Sequence, residues 1–131
     1  MDSQQNVLGA ELQVCGTEPM TGFYRDGYCN TGPDDIGSHT VCTIVTADFL
    51  AHQQAIGNDL STPRPQYGFP GLVPGDHWAV CAPRWFASYE AGVRAPVLVR
   101  ATNVAALDHV PLSALHECAA DAPDDIGELL S

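Results

Sequence analysis

Polar and apolar positions fall into short periodic runs separated by two long turn-rich stretches. Glu11 to Cys15 alternates and predicts a short strand. Thr40 to Val45 is rich in β-branched residues and predicts a second strand. Thr46 then caps a helix over Ala47 to Ile56, with Phe49, His52 and Ile56 on one face and Gly57 as its left-handed stop. Trp78 to Ala82 predicts a third strand, and Pro83 opens a helix through Ala91 that Gly92 ends. Pro96 to Ala101 reads as a fourth strand, and Thr102 caps a single turn to Leu107. Pro111 to Ala120 reads as a helix with Leu112, Leu115 and Ala119 on its apolar stripe. Strands mixed with short helices predict an α+β, two-layer domain over residues 1–120, followed by an acidic, loosely held tail over 121–131.

The two stretches between these elements are unusual. Residues 16–38 hold five Gly and two Pro around Phe23, Tyr24 and Tyr28. Residues 58–77 hold four Pro and no periodicity, but Leu60, Tyr67, Phe69 and Leu72 recur at intervals that pin a loop to a body. Gly and Pro at that density fix backbone shape, as a preformed site requires. A pentapeptide, Pro33 to Gly37, recurs at Pro123 to Gly127 with unmatched flanks, which reads as coincidence.

Charge narrows the partners. The 131 residues carry 16 acids and 5 bases, a net charge of −11. All the bases are Arg, and 11 of the acids are Asp. Such a surface disfavours nucleic acid and anionic membranes, and its lack of Lys suits a salt-rich cytoplasm. No apolar run is long enough to span a bilayer, and the start has no secretory pattern, so a cytoplasmic protein is expected. Five cysteines, an odd number with no CxxC pair, then read as reduced thiols.

The long strings are distinctive enough to compare with a family. Val7-Leu8-Gly9 leading to Cys15, the run Thr21 to Cys42, Gly57 to Leu72, Pro74 to Trp78, Arg84-Trp85 and Pro96 to Thr102 resemble the bacterial and plant family called domain of unknown function 2237. The resemblance covers nearly the whole chain to Ala119 and implies a small two-layer α/β sandwich, but no activity. Members commonly carry Cys where Ala79 stands and His where Asn103 stands, so any role of those two groups is lost here.

Candidate chemistry follows from residue type. Cys29, His39, Cys42 and Cys81 are the soft ligands to nominate for zinc, although their spacing matches no standard knuckle, and filling core gaps is the competing role. Cys29, near Asp26 and His39, is the nucleophile candidate. The polar loops offer Arg25, Asp26, Asp35, Asn58, Asp59, Asp76 and Arg84 as ligand-binding candidates. Arg25 and Arg84 would hold an anionic group, while Asp26, Asp35 or Asp59 would act as base or ligate a divalent cation. The same Asp and Asn side chains also close turns. Two readings result: a small ligand-binding or catalytic domain with its site on loops 21–39 and 57–76, or a non-catalytic interaction module using Tyr67 to Leu72.

Overall fold

A computed structural model describes residues 4–121. Its architecture is mixed α+β, built on one antiparallel ribbon of β1 (His39–Ile44) and β2 (His77–Cys81). Three helices accompany it: α1 (Ala47–Ala55), α2 (Ala82–Glu90) and α3 (Leu112–Glu117). Short 3₁₀ turns occupy Pro65–Tyr67, Val99–Ala101 and Val104–Asp108.

The ribbon has two buried faces. Val41, Trp78 and Val80 join Phe49, Leu50, Trp85, Val97, Val99 and Leu115 in the larger core. Cys42 and Ala79, paired across the ribbon, join Cys15, Cys29 and Ala101 in a smaller one. The register is regular from Val41↔Val80 to Ile44↔His77, but His39 pairs with Cys81, so Thr40 is an extra residue. A bulge of this kind bends the strand and re-aims its side chains. Here it sets His39 opposite Cys81. Ser38, just before it, holds φ +52°, a left-handed conformation that a residue with a Cβ adopts only at some cost.

The caps of α1 form as the pattern predicts. Thr46 Oγ1 accepts from Phe49 N at 3.1 Å, and Gly57 follows the last turn at φ +91°. The buried stripe differs from the predicted one. Phe49, Leu50 and Gln53 face inward while Ile56 is exposed. The reason is a polar seam with α2: Gln53 Nε2 donates to Arg84 O and Ser88 Oγ, and its Oε1 accepts from Asn58. His52 Nδ1 lies 2.6 Å from the same Ser88 hydroxyl.

Two predicted strands do not form. Glu11 to Cys15 sends its backbone bonds to separate partners: Leu12 N to Gln4, Gln13 N to Arg100 and Cys15 N to Gly27. Pro96 to Ala101 starts as a strand, with a bridge from Val97 to Thr43, then turns into 3₁₀ at Val99. The Asp121 carboxylate takes the amides of Val99 and Arg100, at 2.7 and 3.1 Å, so they are lost to any ladder. Asp121 is thus tied down, although it was assigned to the tail. The remainder of the tail, with the second pentapeptide, lies outside the described residues. The turn after Thr102 is capped by Asn103 instead, whose Oδ1 accepts from Ala105 N.

The cysteines correct the reading of the thiols as reduced. Cys15 and Cys42 form a disulfide across 27 residues, while Cys29, Cys81 and Cys118 are free. Closing a loop of that length removes denatured-state entropy worth about 3.5 kcal/mol. Denaturant melts with and without a dithiol are expected to differ by that order, and identical midpoints would contradict a native crosslink.

Candidate functional site

The bulge brings Asp35 and His39, four residues apart, into line with Cys81, 42 positions away. His39 Nε2 lies 3.2 Å from Cys81 Sγ, and His39 Nδ1 lies 2.6 Å from Asp35 Oδ1. Asp35 is fixed in turn. Its Oδ2 accepts from the His39 amide at 2.8 Å and from Thr31 Oγ1 at 2.9 Å. Its side chain is wholly buried, while that of His39 is 34% exposed. Phe23 lies against the His39 ring, with centroids 5.7 Å apart. Cys81 is half-buried and occupies the N-cap of α2, whose first amide donates to Ser38 O at 2.9 Å. A helix N-terminus favours negative charge on a side chain placed there.

Asp35 and His39 shift each other's protonation. The Cys81 sulfur on Nε2 raises the His39 pKa to about 9; burial opposes this, and Asp35 adds to the rise. Burial pushes Asp35 upward, but the bonds from His39 and Thr31 outweigh it and hold the carboxyl below its usual range. His39 is therefore an imidazolium at neutral pH, between a carboxylate and a sulfur. Its contribution to stability is complete below its ordinary value of 6.5 and is lost as pH rises through about 9. That of Asp35 is complete above its ordinary 3.8 and is lost as pH falls through its depressed value. Urea midpoints are expected to be highest between these limits and to drop through pH 9, a drop that His39→Gln removes. A midpoint rising through pH 9 would contradict the pairing.

Gly37 closes the site from the loop side. A Cβ added there would stand 2.9 Å from Cys81 Sγ and 3.2 Å from His39 Cε1. Gly37→Ala is expected to push the sulfur and ring apart and slow chemistry at Cys81 by up to roughly a hundredfold, since small misplacements of reacting groups are costly. Measuring the alkylation rate of Cys81 in the variant checks this. An unchanged rate would show the sulfur–imidazole contact to be irrelevant.

The structure separates the residues nominated from sequence. His39 and Asp35 belong to the constellation just described. Cys29 is fully buried, and burial, reinforced by the charges of Asp26 and Asp35, pushes its thiol well above the ordinary range, so it is not a poised nucleophile. Asp26 closes its own turn, accepting from Tyr28 N and Asn30 Nδ2. Asp59 does the same for Ser61 and Thr62, and Asp76 for Val73. Asn58 bonds Gln53. Arg84 Nη1 caps α1 at Ile56 O, and Arg25 lies over the Trp78 ring at 5.0 Å with Nη1 on Gly22 O. The set Cys29, His39, Cys42 and Cys81 is not gathered: Cys42 is bonded to Cys15, and the three-ligand group brought together among the described residues is Cys15, Cys29 and Cys42. Nor do Tyr67, Phe69 and Leu72 form an exposed patch. Tyr67 is exposed, but Phe69 lies tilted against Trp78 and Leu72 belongs to the core.

Cys81 is nominated by the sequence only as a zinc ligand, with filling a core gap as the competing role, and not as a nucleophile. A signal was present. A predicted strand leading directly into a helix opened by Pro83 puts Cys81 within two residues of a helix N-terminus, where cysteines gain reactivity. Two hollows are present, and neither is lined by Asp35, His39 or Cys81. One of about 780 Å³ is bounded by Gln4, Leu12, Tyr24, Asp26, Tyr28 and Thr31, and shares Thr31 with the Asp35 network. The other, about 220 Å³, lies where the two polar loops meet, between Met20, Arg25, Tyr67 and Trp78.

Among the described residues no helix is long and apolar enough to cross a membrane. No curated protein matches the sequence. A family model described as an uncharacterised protein conserved in bacteria matches residues 5–119, and on that match the chain belongs to the family called domain of unknown function 2237.

Proposed function

We propose that this domain is a thiol enzyme with Cys81 as nucleophile, His39 as its proton partner and Asp35 as the group that orients His39. The single observation that carries the reading is the continuous line from Asp35 Oδ1 through the imidazole to Cys81 Sγ. A nucleophile within reach of a base, itself held by a third group, is the arrangement that covalent catalysis requires. The reaction class it suits is acyl transfer. The sulfur attacks as the thiolate beside the imidazolium, forming a C–S bond to a carbonyl carbon, and the imidazolium at Nε2 passes its proton to the leaving group as the old bond breaks. Water, deprotonated by the now neutral His39, then splits the thioester and releases the thiolate beside the restored imidazolium.

The test is a panel of aryl esters and acyl thioesters, quenched early and mapped by peptide mass spectrometry. An acyl group on Cys81, with turnover lost in Cys81→Ala, is the expected result. Equal turnover in Cys81→Ala would refute the proposal. A salt-rich cytoplasm, suggested by the Asp-rich surface, remains part of this reading, and in that compartment the Cys15–Cys42 pair would spend time as a dithiol.

A further inference from the structure

The sulfurs of Cys15, Cys29 and Cys42 lie within 4.8 Å of one another, and none of these residues is more than 3% exposed. The proposed acyl chemistry uses none of them. Contacts other than the disulfide hold their backbones in place. Cys15 N donates to Gly27 O at 2.7 Å, Cys42 N to Thr102 Oγ1 at 3.1 Å, and Asn103 Nδ2 to Cys29 O at 3.0 Å. Reducing the disulfide therefore leaves three thiols facing one small space.

The surroundings decide what that space accepts. Ala79, Ala101 and Leu98 pack against the sulfurs, and none of them offers a fourth ligand. Zinc in a structural site takes four. A monovalent or divalent ion on three thiolates also leaves net negative charge in an apolar pocket, which is costly. The neighbouring Asp26 and Asp35 charges already oppose an anion at Cys29. A trivalent soft centre on three thiolates is neutral. With bonds to sulfur of about 2.3 Å, three sulfurs around one centre stand about 4 Å apart or less, within the observed spread.

We infer that, once the Cys15–Cys42 disulfide is reduced, the three sulfurs form a site for a trivalent thiophilic metalloid, of which arsenic(III) is the representative. A soluble dithiol supplies two electrons and two protons to the disulfide and leaves as its own disulfide. Arsenous acid then exchanges its three As–O bonds for three As–S bonds. Each thiol proton departs on a hydroxide as water, so nothing is oxidised and no charge is buried.

The test uses the full chain carrying Cys81→Ser and Cys118→Ser, reduced with a dithiol, desalted under nitrogen and titrated with sodium arsenite. One arsenic per chain is expected, with three sulfur neighbours by X-ray absorption, unchanged far-ultraviolet dichroism and no proton release into weak buffer. The oxidised protein should not bind. Adding Cys29→Ser should weaken binding roughly a hundredfold, the loss expected when one linked donor leaves a chelate. If that variant fails to fold, the sulfur count in the folded protein decides alone. Two sulfur neighbours, equal binding by the oxidised protein, or unfolding on reduction would each overturn the inference.

Discussion

Replacing His39 with alanine is expected to slow acylation of Cys81 by about 10²- to 10⁴-fold, the range associated with a positioned proton-transfer group. Among the described residues His39 is the side chain that bonds both Cys81 and Asp35, so its loss removes the proton partner and releases the carboxylate at once. Asp35→Asn separates the two effects. The amide keeps the shape of the carboxyl and its bond from Thr31 but removes the charge opposite the imidazolium. It is expected to lower the His39 pKa and to slow acylation less than His39→Ala does. Stopped-flow acylation with an aryl ester, followed across pH, measures both. If the Asp35→Asn profile keeps its alkaline limb near pH 9, the carboxylate does not set the protonation of His39. Equal rates for the wild-type protein and His39→Ala would remove the histidine from the chemistry altogether.

The largest effect on stability is expected from Trp85→Ala. Trp85 is 1% exposed at the centre of the larger core, stacks near Tyr89 at 5.5 Å and donates Nε1–H to Ala95 O. Its removal leaves a cavity between α2 and the segment around Ala95 and strands a backbone carbonyl. A loss of about 3–5 kcal/mol follows from comparable large-to-small changes. In a domain of this size that lowers the melting temperature by roughly 10–20 °C. Differential scanning calorimetry checks it, and a loss below that of a surface substitution would mean the core is not organised around this ring. Trp85 also anchors the helix whose N-terminus carries Cys81, so partial loss of reactivity at Cys81 should accompany the loss of stability.

The sequence made some of this legible, and the boundary has physical causes. The N-cap of α1 and the Gly57 stop are local chemistry, written in single residues, and they appear where the pattern places them, while α2 begins at Ala82, one residue before the predicted Pro83. The α+β class survives, but the ribbon has two strands where the pattern suggested four. What cancelled the others is nonlocal: Gln13 N bonds Arg100 O and Cys15 N bonds Gly27 O, while the Asp121 carboxylate, 21 or more positions away, captures the amides of Val99 and Arg100. The buried face of α1 was misread for a related reason. Gln53 counts as polar in any periodicity, yet it is fully buried because Arg84, Ser88 and Asn58 satisfy its amide.

The site divides in the same way. Asp35 and His39 stand four residues apart in one loop and were nominated together with their neighbours, Asp26 and Cys29. Only the bulge at Thr40 and the register of β2 reveal that the partner of His39 is Cys81, 42 positions away. Period-2 alternation placed Cys81 with the core and overlooked that it ends a strand and caps a helix. The disulfide was hidden because an odd number of cysteines with no CxxC pair reads as thiols, whereas pairing depends on how Gly16 to Ser38 folds back on β1. Most of the polar loop residues, by contrast, are spent on turns and caps, as the ordinary habits of Asp and Asn suggest.

The central claim is that Cys81 is the reactive thiol of this protein, and competitive alkylation tests it most directly. The native protein, with its disulfide intact, is pulsed at neutral pH with limiting iodoacetamide, and the modified peptides are quantified. The account predicts that Cys81, half-exposed beside an imidazolium, is labelled first. Cys29 is sealed in the smaller core, and burial followed by the charge of Glu117 pushes the Cys118 thiol up, so both should lag far behind. Labelling of Cys118 at the same rate as Cys81, or ahead of it, would contradict the account.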